Sequence, residues 1–151
     1  MELVVDDLSG PEIAAFLEAH IEEMKAVTPP QSKHALDLDG LRTSTVTFWT
    51  VLCEGSVVGC AAVKQLNDAS GEVKSMRVAP SYRRSGVAAL LLQHIIAESE
   101  RMGLSRLYLE TGSFEFFEPA RRLYLKHGFQ YCSPFADYRE DPNSVFMTRV
   151  L

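Results

Sequence analysis

Between Met76 and Ala89 the chain reads Met-Arg-Val-Ala-Pro-Ser-Tyr-Arg-Arg-Ser-Gly-Val-Ala-Ala. A strand-like pattern ends at Val78, Pro80 interrupts it, a basic loop follows, and small residues open an apolar-periodic helix. The first N–H groups of a helix lack partners within it, and the helix dipole adds partial positive charge, so such a start attracts anions. Gly86 and Ala88 let phosphate oxygens approach the backbone with no side chain in the way. Arg83 and Arg84 add forked donors suited to paired phosphates. Arg77, Arg83 and Arg84 fall within eight residues with no acid between them. This is the chemistry of a pyrophosphate site. It is not a P-loop, because no Gly-Lys-Ser/Thr follows, and Gly86 stands alone where a dinucleotide fingerprint needs three glycines. A lone Gly-x-Ala would equally suit close helix–sheet packing, and the basic loop tips the reading toward an anion.

The segment Arg83-x-x-Gly86-x-Ala88 resembles the acetyl-CoA signature of the GCN5-related N-acetyltransferases, Gln/Arg-x-x-Gly-x-Gly/Ala. The flanking Met76-Arg77-Val78-Ala79-Pro80 and Leu90-Leu91-Leu92 look like the same family segment. Ala120 to Phe129 is similar to its downstream helix, which ends in Tyr-x-x-x-Gly-Phe. Pro29-Pro30, Phe48-Trp49, Pro134 to Tyr138 and Asp141 to Met147 resemble a subgroup of small bacterial enzymes, the YsnE-like acetyltransferases. The resemblance implies one N-acetyltransferase domain over residues 1–151, with acetyl-CoA as co-substrate and no metal. In that family two parallel strands splay apart and the thioester lies in the gap. Here they would be Glu72–Val78 and Leu104–Leu109. Backbone groups near Met76 and Val78 would meet the pantetheine arm, and Arg77, Arg83, Arg84, Ser85, Gly86, Val87, Ala88 and Ala89 would complete the cofactor-binding set.

Acetyl transfer needs a neutral amine, yet a lysine-like amine with pKa of about 10.4 is almost wholly protonated near neutrality. A base is therefore required. The resemblance assigns it to Glu110, where the second splayed strand ends; the alternative is a carboxylate capping the loop Thr111–Ser113. A thiolate leaves with a pKa of about 8.5, and Tyr124 matches the family's tyrosine acid. A tyrosine on the inner face of a helix also serves as plain core. One departure stands out: many members carry Asn seven residues before that tyrosine, and this chain has Phe117.

The family builds its acceptor pocket from the first helices and the last hairpin, which makes His34, Trp49, Lys74, Phe135 and Tyr138 the substrate-binding candidates. Ordinary alternatives are core for Trp49 and Phe135, a cap or surface position for His34, and solvent for Lys74. A pocket role for Lys74 would mean an acceptor bearing a carboxylate, such as an amino acid. The expected activity is acetylation of a small-molecule primary amine by direct attack in a ternary complex. Acetylation of a peptide N-terminus or lysine, and a non-catalytic acyl-CoA-binding module, are the alternatives. The Phe-rich stretch 114–117 and the insertion 134–143 favour a closed pocket.

The elements that must position these groups are legible in the hydrophobic periodicity. Glu2–Val5 reads as a strand. Ser9 offers a cap and Pro11 a first-turn residue for a helix carrying Ile13, Phe16, Leu17, Ile21 and Met24 at helical spacing, which Pro29-Pro30 stops. Ala35–Leu41 reads as a short helix. Thr45–Cys53 and Val57–Leu66 form a hairpin across Glu54-Gly55, and Glu72–Val78 is the next strand. Ser85–Met102 is a helix ended by Gly103, and Leu104–Leu109 a buried strand. Pro119–His127 is a helix ended by Gly128, before strands at Phe129–Cys132 and Val145–Val150. Strand, helix, strand implies a right-handed parallel crossover. The fold class is α+β, one mixed sheet with helices on both faces.

Composition excludes other classes. The chain has 151 residues, 46% of them hydrophobic, with 7 Pro and 9 Gly, which rules out disorder. No apolar run reaches the roughly 18 residues a membrane span needs, so no membrane partner is expected. A net charge of −5 argues against a nucleic-acid partner. Cys53, Cys60 and Cys132 are odd in number, fit neither a disulfide framework nor a metal pattern, and lie among apolar residues. A cytoplasmic, reducing compartment is expected. An edge strand near the C-terminus is a candidate for pairing two copies into a homodimer.

Overall fold

A computed structural model describes residues 1–27 and 38–151. His34 and Pro29-Pro30 lie outside the described residues. The elements run β1 (Glu2–Val5), α1 (Pro11–Val27), α2 (Leu38–Leu41), β2 (Val46–Cys53), β3 (Ser56–Gln65), β4 (Ser70–Val78), α3 (Val87–Arg101), β5 (Arg106–Gly112), α4 (Glu118–Lys126), β6 (Gln130–Cys132) and β7 (Ser144–Val150). All seven strands join one sheet in the order β1-β2-β3-β4-β5-β7-β6. The expected α+β architecture is what the chain adopts.

Strand period 2 divides the core between the two faces. Trp49, Val51, Ala61 and Val63 point to the side covered by α3 and α4, where Leu91, Ile95, Leu107 and Phe129 meet them. Their neighbours Phe48, Cys60 and Ala62 point the other way, against Ile13 and Leu17 of α1 and Leu41 of α2. A strand covered on both faces reads as a continuous apolar run, as Val57 to Val63 does. Cys60 is fully enclosed there, and burial pushes its thiol well above the usual range. Gly103 and Gly128 end α3 and α4 at φ +84° and +88°.

Several boundaries differ from the sequence expectation, and three of them bear on the site. α3 starts at Val87 rather than Ser85, because Gly86 takes φ +91° and cannot be a helical residue. β5 runs on to Gly112, because Glu110, Thr111 and Gly112 pair with Phe146, Val145 and Ser144 of β7. Thr111 and Gly112 therefore belong to a strand and not to a loop. A 3-10 turn at Glu115–Phe117 precedes α4 and moves its start to Glu118.

β4 and β5 are the one parallel pair among the described strands, and they pair only at Ser70↔Arg106, Gly71↔Leu107 and Glu72↔Tyr108. Beyond Glu72 they part. β5 keeps β7 as its partner along its whole length, while β4 stays with β3. β4 also carries a bulge, since Cys60 faces Arg77 and Ala62 faces Lys74 with two residues rather than one between. Ser75 absorbs it at φ +55°, and its carbonyl accepts the Cys60 thiol at 3.2 Å. Bulges next to a site re-aim the side chains that follow them.

Candidate active site

The gap between the diverging strands opens into a cavity of about 450 Å³. α1 contributes Leu17, His20, Ile21 and Met24 to its wall, and α2 contributes Leu38 and Leu41. β4 adds Glu72 to Met76, β5 adds Glu110 to Gly112, and Tyr124 faces it from α4. Glu110 and Tyr124 are thus brought to one cavity from different elements. Tyr124 is buried, and that burial, with the Glu110 charge second, pushes its phenol well above the usual tyrosine range.

Phe117, where the resemblance implies Asn, lies against Gly112 so closely that a Cβ on Gly112 would stand 2.1 Å from its ring. Arg121 fixes the same corner, donating to the carbonyls of Gly112 and Phe114 at 2.7 and 2.9 Å.

The acceptor candidates separate. Lys74 and Tyr138 line the cavity, and Glu72 joins them: Tyr138 donates to Glu72 Oε2 at 2.6 Å, and Lys74 Nζ lies 3.0 Å from the same oxygen and 3.1 Å from the Tyr138 hydroxyl. Burial, then the Glu72 charge, pushes the Tyr138 phenol upward. The Lys74 side chain is only 9% exposed, against the ordinary expectation of a solvated lysine. Phe135 stacks on Tyr108 at 4.8 Å and meets Tyr138 edge-on at 5.0 Å, so it backs the wall rather than forming it. Trp49 is 3% exposed, packs edge-on to His94 in the α3-side core, and does not line the cavity.

The basic segment also divides. Leu90 makes the first bond into α3, to Gly86 O at 3.0 Å, so the N–H groups of Gly86, Val87, Ala88 and Ala89 precede any bond within the helix. Arg84 is exposed with φ +64°, and the Ser85 hydroxyl donates to the Tyr82 carbonyl. Met76 lines the cavity, while Val78 stays paired with Gly59. Arg77 turns to α1 instead, where Nη1 donates to Glu23 Oε1 at 2.8 Å and lies 3.2 Å from His20 Nδ1. Arg83 Nη2 donates to the same Glu23 oxygen at 2.8 Å. The patch that has no acid nearby in sequence has one in space. Burial pulls the Glu23 carboxyl upward, but the two guanidiniums outweigh it and hold it below its ordinary value.

A family model for the acetyltransferase (GNAT) family matches residues 13–129. The chain belongs to the GNAT acetyltransferases. Among GNAT relatives it is 51% identical over 151 residues to the uncharacterized N-acetyltransferase YsnE of Bacillus subtilis (strain 168), covering all of both chains. It is 49% identical over 146 residues to the uncharacterized N-acetyltransferase YedL of Escherichia coli (strain K12), covering 97% of this chain and 92% of that one. The crystal structure of an acetyltransferase from Streptococcus agalactiae 2603 shares the GNAT fold at TM-score 0.78 and 19% identity, covering 99% of this chain and 98% of that one.

Glu23, His20 and Glu72 are site residues that sequence reasoning missed. Glu72 carried a faint signal, because Glu72-x-Lys74 puts two opposite charges on one face of an otherwise apolar strand. Glu23 carried none, since its partners lie more than fifty residues away on another element.

Proposed function

We propose that this GNAT acetyltransferase moves the acetyl group of acetyl-CoA to the primary amine of a small, largely apolar, amino-acid-like acceptor. The observation that carries this reading is the cavity at the parting of β4 and β5, faced by both Glu110 and Tyr124. Its volume suits a small molecule. Tyr138 and Asn143 of the 134–143 insertion, together with Phe117, narrow it in a way that suits a small acceptor better than a peptide.

The residues present fit the co-substrate. β4 beyond Glu72 has no partner strand on its β5 side, so backbone groups about Met76 are available to the pantetheine amides. The N–H groups of Gly86 to Ala89 and the guanidiniums of Arg83 and Arg84 suit the diphosphate. In the reaction the amine's proton passes to Glu110, the freed nitrogen bonds to the thioester carbonyl carbon, and the C–S bond breaks. Tyr124, whose raised pKa keeps its proton at neutral pH, donates to the leaving sulfur as the C–S bond breaks and takes the surplus proton of the acylated nitrogen in return, leaving a neutral amide, a free thiol and a restored phenol. Apolar groups from Leu17, Ile21, Met24 and Leu41 hold the acceptor's body, and Lys74 meets its carboxylate.

Thiol release against a panel of amines, amino acids and peptide arrays tests this. Turnover is expected with small apolar amino acids. Coenzyme A binding with no turnover of any amine class would overturn it.

A further inference from the structure

One carboxylate oxygen holds both arginines of the clamp between α1 and β4, and the two are held differently. Arg77 is 7% exposed, with Glu23 on one side, His20 Nδ1 at 3.2 Å and the Phe16 ring 5.6 Å away. Arg83 is 46% exposed and lies over the Phe116 ring at 6.0 Å. Among the described residues its charged partner is the Glu23 oxygen that Arg77 already occupies. Two guanidiniums share one carboxylate, so the cluster carries one uncompensated positive charge. His20, pushed down to about 4 by burial and by Arg77, is neutral at physiological pH and adds nothing.

A diphosphate offers paired oxygens and more charge than a carboxylate that is already shared, so it is the better partner for a guanidinium fork. Transfer of Arg83 leaves Glu23 matched one-to-one with Arg77 and no buried charge unpaired. We propose that Glu23 is an internal competitor for Arg83, and that a diphosphate arriving at the Arg83–Ala89 loop displaces it and releases one of the polar contacts holding α1, while Arg77 keeps Glu23 and His20. α1 supplies Leu17, His20, Ile21 and Met24 to the acceptor cavity. Binding at the loop therefore frees one polar contact of the cavity wall. Glu23 is a positioning residue and touches neither substrate.

This rests on the proposed diphosphate site, and its test separates the two. Calorimetry with coenzyme A on the full chain compares wild type, Glu23→Gln, Arg83→Gln and the double variant. Gln keeps an acceptor oxygen for Arg77. Glu23→Gln is expected to tighten coenzyme A binding about two- to fivefold, the worth of a partly exposed ion pair. Arg83→Gln is expected to weaken binding, and in that background Glu23→Gln is expected to gain nothing. A purely structural Glu23 gives the opposite sign, weaker binding, and that result or an unchanged affinity overturns the proposal. If Glu23→Gln fails to fold, carbon-13 NMR of the wild-type Glu23 carboxyl replaces it. Its titration midpoint should rise when coenzyme A is added, and a fixed midpoint overturns the proposal alone. A wild type that binds no coenzyme A overturns the diphosphate site and the competition together.

Discussion

The carboxylate of Glu110 and the phenol of Tyr124 face one cavity, and the charge of the first adds to burial in keeping the proton on the second. In the proposed roles of base and acid the two are linked: once Glu110 takes a proton its charge disappears, and Tyr124 becomes easier to deprotonate. Tyr124→Phe and Glu110→Gln are each expected to lower kcat by about a hundredfold or more while coenzyme A binding persists. In Glu110→Gln the alkaline limb of the residual activity should move to lower pH. Initial-rate pH profiles with calorimetry check both, and unchanged kcat in either variant removes that residue from the chemistry.

Gly86 caps α3 at φ +91°, a conformation that costs a residue with a Cβ about 1 kcal/mol. A Cβ there would meet nothing within 4 Å in the protein itself, so crowding does not arise from the fold. Gly86→Ala is therefore expected to lower the melting temperature slightly and to raise the KM for acetyl-CoA about tenfold or more, because the methyl occupies the approach to the N–H groups. A KM that follows wild type would show that nothing binds there.

The elements were readable from the sequence wherever the periodicity was unambiguous. The Glu54-Gly55 turn, the apolar stripe of α3 and its stop at Gly103 depend on neighbours in the chain. The site was readable only in its local half. The Arg83-x-x-Gly86-x-Ala88 loop announces itself because a helix start, a glycine and basic residues are adjacent. Glu23 reaches its partners across 54 and 60 residues, and no spacing rule encodes which strand face an incoming side chain will meet. Trp49 illustrates the converse: an aromatic on a strand can face either layer, and period 2 sends this one into the α3-side core.

Gly112 and Phe117 make a packing pair, with the ring standing where the family resemblance implies Asn. The ring fills the space where a Gly112 Cβ would be, 2.1 Å from Cδ2. Gly112→Ala must displace the ring from the cavity wall and is expected to cost about 1–3 kcal/mol. Shortening the ring in Gly112→Ala/Phe117→Leu should recover part of that loss. Thermal melts of the single and double variants give the coupling, and additive effects would show that the two residues do not share the space.

His20 sets a pH dependence of a definite sign. Burial, then the Arg77 guanidinium, moves its pKa from 6.5 down to about 4. The unfolded chain takes up a proton near the upper value and the folded protein near the lower one. Between them the unfolded state binds more protons, so stability falls as the pH falls through that interval and is fully present above it. Glu23 acts in the same direction at lower pH, because its net-depressed carboxyl contributes stability that is lost as the pH falls below its ordinary value of 4.5. His20→Gln keeps a polar partner for Arg77 and should flatten the melting temperature across the first interval, leaving the acid loss below it. A wild-type melting temperature that stays constant from neutrality down to pH 4 would exclude the buried neutral imidazole. Because both groups anchor α1 to Arg77, acid should open the cavity wall before the sheet melts, and acceptor KM should rise at a higher pH than the one at which the protein unfolds.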